Sequence, residues 1–255
     1  MEKRRSGNRV FPAKFSGLML IALLALLGSC AKDGGVCVSN SGPIIRQTRD
    51  IAGFNQIVLN DNVSLILTTD SVQSLVVEAG TNLLGGIGTK VENGLLTISN
   101  SNSCNWLRDY SKPINVYLSM QNVWKIEYNA SGDISTTGSL KLDSLTVEVW
   151  GGCGTIDMSL NIFKGNFSLN MGTANFKLRG LSAITSVYVK DYGFFDGRDL
   201  ETGYTFITSN GSNDCYVRVS ASLEATIGSI GNIYYTGDPP KVKENIVGAG
   251  KLIRF

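Results

Sequence analysis

A short alternating segment and a glycine recur about every 20 residues through the second half of the chain. The clearest alternating segments are LTVEVW (145–150), FSLNM (167–171), VYVKDY (187–192) and YTFITS (204–209). The recurring glycines are Gly132, Gly152, Gly172, Gly193, Gly211, Gly231 and Gly250. Alternation with period 2 is typical of a strand with one buried face. A fixed period of this length predicts stacked units that bury a continuous core only together.

The pattern therefore favours an all-β fold, a parallel β-helix or β-solenoid with coils of about 20 residues. An antiparallel sandwich is the alternative, since it also has short strands with turn signals every 8–12 residues. Roughly ten coils would fit into residues 44–255 at this period. A glycine at each corner would permit a positive φ or a close backbone approach. The terminal segment KLIRF (251–255) alternates, so we expect it to form the last strand.

Composition excludes several kinds of chemistry. The chain has no histidine, which removes Ser-His-Asp and Cys-His catalysis and His-based zinc sites. Residues 1–29 hold five basic residues and one acidic residue, so the rest of the chain has a net charge near −2. No basic stripe is visible, which argues against nucleic acid as a partner.

The N-terminus has the features of an export signal. A basic segment is followed by the apolar run FSGLMLIALLALLG (15–28), which is too short to span a bilayer and fits a signal-peptide h-region. The run ends in Leu27-Gly28-Ser29-Cys30, which resembles the lipobox of bacterial lipoproteins. The resemblance implies cleavage before Cys30 and lipid attachment to it. We expect a signal peptide at 1–29, a lipidated tether at 30–43 and a single β-helical domain at 44–255.

Four segments together resemble the head GIN-domain family of putative auto-transporter adhesins, which is common in Bacteroidetes. They are 53–70, 76–99, 126–135 and 231–253, in the family's order. The resemblance implies a right-handed β-helix in the cell envelope and supplies no catalytic residue. Ile230 departs from the Gly-Ser-Gly-Asp motif frequent in the family. Residues after Cys30 also resemble those of outer-membrane lipoproteins, so we expect an outer-membrane location, with the cell-surface or periplasmic face left open.

Three groups of residues are candidate sites. The segment GGCGTID (151–157) is similar to a calcium-binding nonapeptide, but its aspartate stands one position late. Cys37 and Cys104 could form a disulfide, whereas Cys153 and Cys215, about three coils apart, fit buried small residues better. The loop 100–112 carries Trp106 and Tyr110, either for binding or to cover the core. The sequence identifies no catalytic, cofactor-binding or metal-binding residue, and Cys30, the expected point of lipid attachment, is the one site residue predicted.

Aromatic residues are dense between 188 and 235. An exposed ladder could stack on sugar rings, but inward-facing rings would be the ordinary core of a solenoid, which is the interpretation favoured. The aromatic residues concerned are Tyr188, Tyr192, Phe194, Phe195, Tyr204, Phe206, Tyr216, Tyr234 and Tyr235. The acids nearby are Asp191, Asp196, Asp199 and Glu201. A pair of carboxylates could hydrolyse glycosides, although the spacing selects no pair.

The sequence thus predicts a non-enzymatic, lipid-anchored envelope protein that binds a glycan, another surface or a partner protein. A structural scaffold of stacked solenoids is the alternative. An enzyme acting on polysaccharides is a third, less favoured hypothesis.

Overall fold

Strands dominate residues 40–102 and 113–255, the part of the chain that the computed structural model describes. Eight short strands come first: β1 (Ile44–Arg49), β2 (Gln56–Asp61), β3 (Ser64–Thr69), β4 (Ser74–Gly80), β5 (Ile87–Glu92), β6 (Leu95–Asn100), β7 (Asn115–Met120) and β8 (Lys125–Ala130). Five long strands follow: β9 (Ile134–Gly152), β10 (Thr155–Gly172), β11 (Asn175–Asp191), β12 (Phe194–Gly211) and β13 (Cys215–Ile227). The last are β14 (Ile233–Thr236), β15 (Lys241–Ile246) and β16 (Leu252–Arg254). A 3-10 turn, Leu84–Gly86, lies between β4 and β5.

Each long strand bends near its middle and so belongs to two ladders. The first halves of β9 to β13 pair in parallel with one another and continue into β14 and β16. The second halves also pair in parallel and continue into β15. The result is a β-solenoid of about six turns with about 20 residues per turn. The predicted fold class is confirmed, and the antiparallel sandwich is excluded by the parallel pairing.

The N-terminal end is built differently. There β1, β4 and β7 pair antiparallel in one ladder, and β5 and β6 form an antiparallel hairpin in the other. Asn93 and Gly94, at the hairpin turn, both have positive φ, as a two-residue hairpin turn requires. The expectation of roughly ten coils is therefore wrong. A strand alternates in the same way whether its neighbours run parallel or antiparallel. The sequence therefore does not distinguish the antiparallel N-terminal strands from further coils of the solenoid.

Arg49 ties the two ladders together at this end. Its guanidinium donates hydrogen bonds to the carbonyl oxygens of Ile87 (2.5 Å) and Leu84 (2.9 Å) and to Oγ1 of Thr89 (3.1 Å). Arg49 belongs to β1, on the edge of one ladder, whereas Ile87 and Thr89 belong to β5, on the edge of the other. Partial burial lowers the pKa of the guanidinium, and the three acceptors compensate its desolvation.

The core consists of inward columns, one residue from each coil. One column joins Ile134, Ile156, Phe176, Phe195, Cys215 and Ile233 through the strand register. Phe167 from the opposite ladder meets Phe176 and Phe195, with ring centroids 5.7 and 6.4 Å away. Buried hydroxyl groups complete the interior: Oγ1 of Thr202 bonds Oγ1 of Thr205 (2.5 Å), and Thr185 bonds Ser182 (2.9 Å). These pairs satisfy polar groups that would otherwise be costly to bury.

Two edges join the ladders. The glycine edge carries the seven recurring glycines, which lie at or beside the ends of β8 to β15, as the repeat predicted. The bend edge is where the long strands turn internally, at Asp143, Phe163, Ala183 and Gly203. These four residues have no partner in the ladders, and the residue after each also points outward or lies at the surface. Side chains at the bend edge are therefore displayed without disturbing the core.

The C-terminal end leaves its strands uncovered within the described residues. The last strand, β16, lies within KLIRF as predicted. Val242 and Ile246 of β15 continue the core columns of Leu223 and Ile227, yet both are exposed. Glu244 lies between them on the same inward face of β15 and continues the column of Ala225. An inward-pointing charge on a terminal strand opposes edge-to-edge pairing.

Several sequence predictions fall outside the described residues. These are the signal peptide, Cys30, Cys37, Cys104, Trp106 and Tyr110. Among the residues described, no helix is long and apolar enough to cross a membrane.

We expect Gly172→Ala to destabilise the protein by about 2–4 kcal/mol. Gly172 has φ +112°, and a Cβ there would overlap the carbonyl oxygen of Gly152 on the coil below. Gly53→Ala is the matched control, because Gly53 has no positive φ and no atom within 4 Å of its Cβ position. Urea unfolding measures both free energies. Equal stability of the two variants would contradict close packing at the glycine edge.

Candidate binding surface

Three exposed aromatic side chains lie along the bend edge. Trp124 precedes β8 and is 44% exposed, Phe163 stands at the bend of β10 and is 63% exposed, and Tyr204 follows the bend of β12 and is 51% exposed. Leu181 and Phe206 add exposed apolar surface near the second and third. Large apolar side chains that remain exposed together mark an interaction surface more often than scattered ones do.

A groove of about 510 Å³ opens beside Trp124. We call it the Trp124 groove; its lining residues are Gln121, Asn122, Val123, Trp124, Lys141, Leu142, Asp143, Ser144 and Asn161. It lies where the β7–β8 connection meets the bends of β9 and β10. Neighbouring coils thus bring together residues that are far apart in sequence, and the groove has the size of a small-ligand site.

The polar side chains of the groove are largely unpaired. Gln121 donates to the carbonyl oxygen of Ser71. In contrast, the side chains of Asn122, Asp143, Ser144 and Asn161 form no hydrogen bond or ion pair with the described part of the protein. Amide, hydroxyl and carboxylate groups around one aromatic ring can bond hydroxyl groups while the ring contacts an apolar face.

The glycine edge carries a second row of exposed side chains. Trp150, Met171 and Tyr192 occupy successive coils, and Trp150 is 51% exposed. A smaller hollow of about 260 Å³ lies beside Tyr192 and includes Tyr188, Asp191 and Asn210. Asn213 donates to the carbonyl oxygen of Tyr192 (2.6 Å) and so fixes this turn.

The predicted inward aromatic ladder is wrong for most of its members. Phe195 is buried, as described above, whereas Tyr192, Tyr204 and Phe206 are exposed. The remaining five, Tyr188, Phe194, Tyr216, Tyr234 and Tyr235, are half-buried. Threonine and serine occupy inward positions beside them, at Thr202, Thr205 and Ser209. The sequence does not distinguish these buried threonine and serine residues from surface ones, because small polar side chains are common at the surface.

Three of these outer rings form a cluster with Phe255 near the C-terminal end. Tyr216 and Tyr234 stack with centroids 5.0 Å apart, and Phe255 meets both edge-on. Phe194 adds a tilted contact at 5.7 Å, and the guanidinium of Arg198 lies 4.8 Å above the Tyr216 ring. The rings are thus occupied mainly with one another, and they cover the outer surface of the last coils.

Two of the acidic residues that the sequence singled out, Asp196 and Glu201, are each paired with a different arginine. Asp196 receives a bidentate pair of hydrogen bonds from Arg198, which lowers the pKa of its carboxyl group, and Glu201 pairs with Arg218 at 3.1 Å. The pKa of the Glu78 carboxyl group is also lowered, chiefly by a hydrogen bond from Asn115. A glycosidase acid needs a raised pKa instead.

The segment that is similar to a calcium motif is an ordinary stretch of solenoid. Ile156 is buried in the core column, and Asp157 faces outward and pairs with Arg179 of the next strand. No cluster of three or more potential metal ligands occurs among the described residues.

The two described cysteines differ from each other. Cys215 is buried, as predicted, and its thiol lies 3.9 Å from Oγ of Ser209; burial raises its pKa to about 12. Cys153 is exposed at the glycine edge, so the prediction that it is buried is wrong. It follows Gly152 at the corner, where the chain leaves the ladder and the side chain turns outward.

The fold and this surface define a β-solenoid with an aromatic, polar-lined edge. The chain belongs to the family described as "Putative auto-transporter adhesin, head GIN domain", whose profile matches residues 53–239. A comparison with curated proteins finds no match.

Solved structures share the fold. A putative adhesin from Bacteroides fragilis is 22% identical, with a TM-score of 0.77 over 84% of this chain and 97% of its own. A putative adhesin from Parabacteroides distasonis is 16% identical, with a TM-score of 0.63 over 84% and 98%. A protein from the same species titled a putative lipid binding protein is 17% identical, with a TM-score of 0.60 over 85% and 98%. At these identities the likeness establishes the fold alone.

We expect iodoacetamide to label Cys153 rapidly in the native protein and Cys215 at least about a thousandfold more slowly. The thiolate is the reactive form, and the raised pKa and burial of Cys215 both suppress it. In guanidinium chloride both residues should label at similar rates. Mass spectrometry of the two peptides gives the rates, and fast native labelling of Cys215 would contradict the described core.

Proposed function

We propose that this protein is a lipid-anchored adhesin of the outer membrane that binds saccharide in the Trp124 groove. The observation that carries the proposal is an exposed tryptophan surrounded by unpaired amide, hydroxyl and carboxylate groups. Membership of an adhesin family supports a surface role. A non-enzymatic role is supported by the description of its family as a putative adhesin and agrees with the names of its structural neighbours, putative adhesins and a putative lipid binding protein.

Saccharide fits this groove better than other ligands do. A pyranose ring has an apolar face for the Trp124 indole and hydroxyl groups at its rim for Asn122, Asp143 and Asn161. A lipid chain would leave these polar groups desolvated without partners, so the name of the lipid-binding neighbour does not guide the assignment here. A retaining or inverting glycosidase needs two carboxylates, and the groove offers one, Asp143.

Anchoring is proposed through Cys30. The lipobox-like Leu27-Gly28-Ser29-Cys30 follows an apolar run of signal-peptide length. More than one acyl chain on Cys30 would hold the protein stably at the membrane, and the segment between Cys30 and the solenoid, rich in small and polar side chains, would act as a tether. The solenoid would then display both edges away from the bilayer.

A scaffold of stacked solenoids is the second candidate, because the strands at the C-terminal end are uncovered. The inward Glu244 weighs against it, since end-to-end stacking would bury that charge in a continued core. Analytical ultracentrifugation of the soluble domain distinguishes the two: concentration-dependent rods would favour the scaffold and a monomer the adhesin.

We expect Trp124→Ala to lower saccharide affinity by about tenfold to a hundredfold, the usual loss for an anchoring aromatic. A glycan array identifies the ligand, and isothermal titration calorimetry then measures its Kd. Trp150→Ala is the control, because Trp150 is equally exposed on the opposite edge and should bind like wild type. Undiminished binding by Trp124→Ala would place the site elsewhere, and an array without any bound glycan would overturn the proposed function.

We expect Cys30→Ala to abolish incorporation of a radiolabelled fatty acid. Protease treatment of intact cells should cleave the wild type and release its solenoid, whereas the variant should not be displayed. Trp150→Ala serves again as a control for expression. Protection of the wild type until the outer membrane is breached would contradict surface display, and unchanged labelling of Cys30→Ala would contradict the lipid anchor.

A further inference from the structure

We propose that the saccharide site continues from Trp124 along the bend edge to Phe163 and Tyr204, and that its ligand is an unbranched, neutral, β-linked polysaccharide lying parallel to the solenoid axis. This inference rests on the proposed function, because it starts from a saccharide in the Trp124 groove. It adds the class of the polymer, its direction and two further contacts.

Strand register gives the spacing of the three rings. Lys125, next to Trp124, pairs with Thr146, so the coil of Trp124 adjoins the coil of Ser144. Ser144 pairs with Lys164, which follows Phe163; Lys164 pairs with Ile184, and Ile184 with Tyr204. The aromatic residues therefore occur on every second coil. Neighbouring strands are about 4.8 Å apart, which separates successive rings by about 10 Å along the axis.

The coils between the rings leave space for a ligand. At the bend they present Asp143 and Ser144 after Trp124, and Ala183 after Phe163. At the bend itself, small or polar side chains thus alternate with large flat ones. An aromatic side chain offers a large contact area at little conformational cost, as a repeated binding contact needs.

This spacing suits a β-linked chain. In an extended β-1,4-linked polysaccharide every second sugar presents the same face, and the disaccharide unit is close in length to two coils. An aromatic ring on every second coil would therefore contact the equivalent face of every second sugar. An α-linked chain coils, so its sugar faces would leave the line of Trp124, Phe163 and Tyr204 within a few units.

Charge along the edge points to a neutral polymer. Lys141 and Asp143 lie together in the groove, and Lys164 lies beside Phe163. Farther along, Glu201 is paired with Arg218 of the next strand. Positive and negative groups thus alternate, without the cluster of one sign that a polyanion or polycation would require.

The experiment is a chain-length series. Calorimetry measures the Kd of β-1,4-linked gluco-, xylo-, manno- and N-acetylglucosamine oligosaccharides of two to six units, with α-1,4-linked gluco-oligosaccharides as the control. We expect at least one β-linked series to tighten tenfold or more from two to six units, with little change when salt is raised. Phe163→Ala and Tyr204→Ala should remove this gain, and should weaken binding of the hexasaccharide at least about tenfold more than binding of the disaccharide.

The opposite edge supplies matched controls. Met171→Ala and Tyr192→Ala truncate exposed side chains of the glycine edge and should keep the full gain with length. A gain that persists in Phe163→Ala and Tyr204→Ala, or disaccharide binding through Trp124 without any gain, would overturn this inference and leave the proposed function intact. Binding of no oligosaccharide, or binding unaffected by Trp124→Ala, would overturn both.

Discussion

Parallel pairing between successive coils is the constraint on which the rest of the structure depends. Residues about 20 apart in sequence exchange backbone hydrogen bonds, as Ile156 does with Phe176 and Phe176 with Phe195. Each coil must therefore keep the same inward positions as the coil beneath it, or its apolar residues would face solvent. The core columns, the two edges and the outer ion pairs between adjacent strands all follow from this repeated register.

The two edges meet this constraint in different ways. At the glycine edge neighbouring backbones approach so closely that a Cβ at Gly132, Gly231 or Gly250 would overlap a carbonyl oxygen of another coil. Next to the glycine edge, the hydroxyl group of Tyr128 donates a hydrogen bond to the carbonyl oxygen of Gly132 and accepts one from the backbone amide of Gly154. Burial raises the pKa of this hydroxyl group. At the bend edge the turning residue has no partner in the ladders, and its side chain extends into solvent.

The sequence predicted the structural features that recur from coil to coil and missed those that do not recur. The glycine spacing and the alternating strands located the coils, and Asn93-Gly94 located the hairpin, because each depends on local backbone conformation. The antiparallel N-terminal end was missed because pairing direction leaves no mark on alternation. The exposed row on the bend edge was not predicted: Phe163 was not singled out, and Tyr204 was expected to face inward. Two successive residues point outward at each bend, so a strict count of alternate positions loses its phase there.

The same geometry explains why a binding surface would develop at the bend edge. Substitution at Phe163 or Tyr204 changes the exposed surface but breaks no ladder hydrogen bond and empties no core position. Substitution of a recurring glycine such as Gly172 meets backbone atoms of the coil below. Side chains at the bends can therefore be exchanged one by one while the solenoid remains intact. Since they repeat along one axis, they form an array that would suit a ligand that also repeats, such as a polymer, better than a compact molecule.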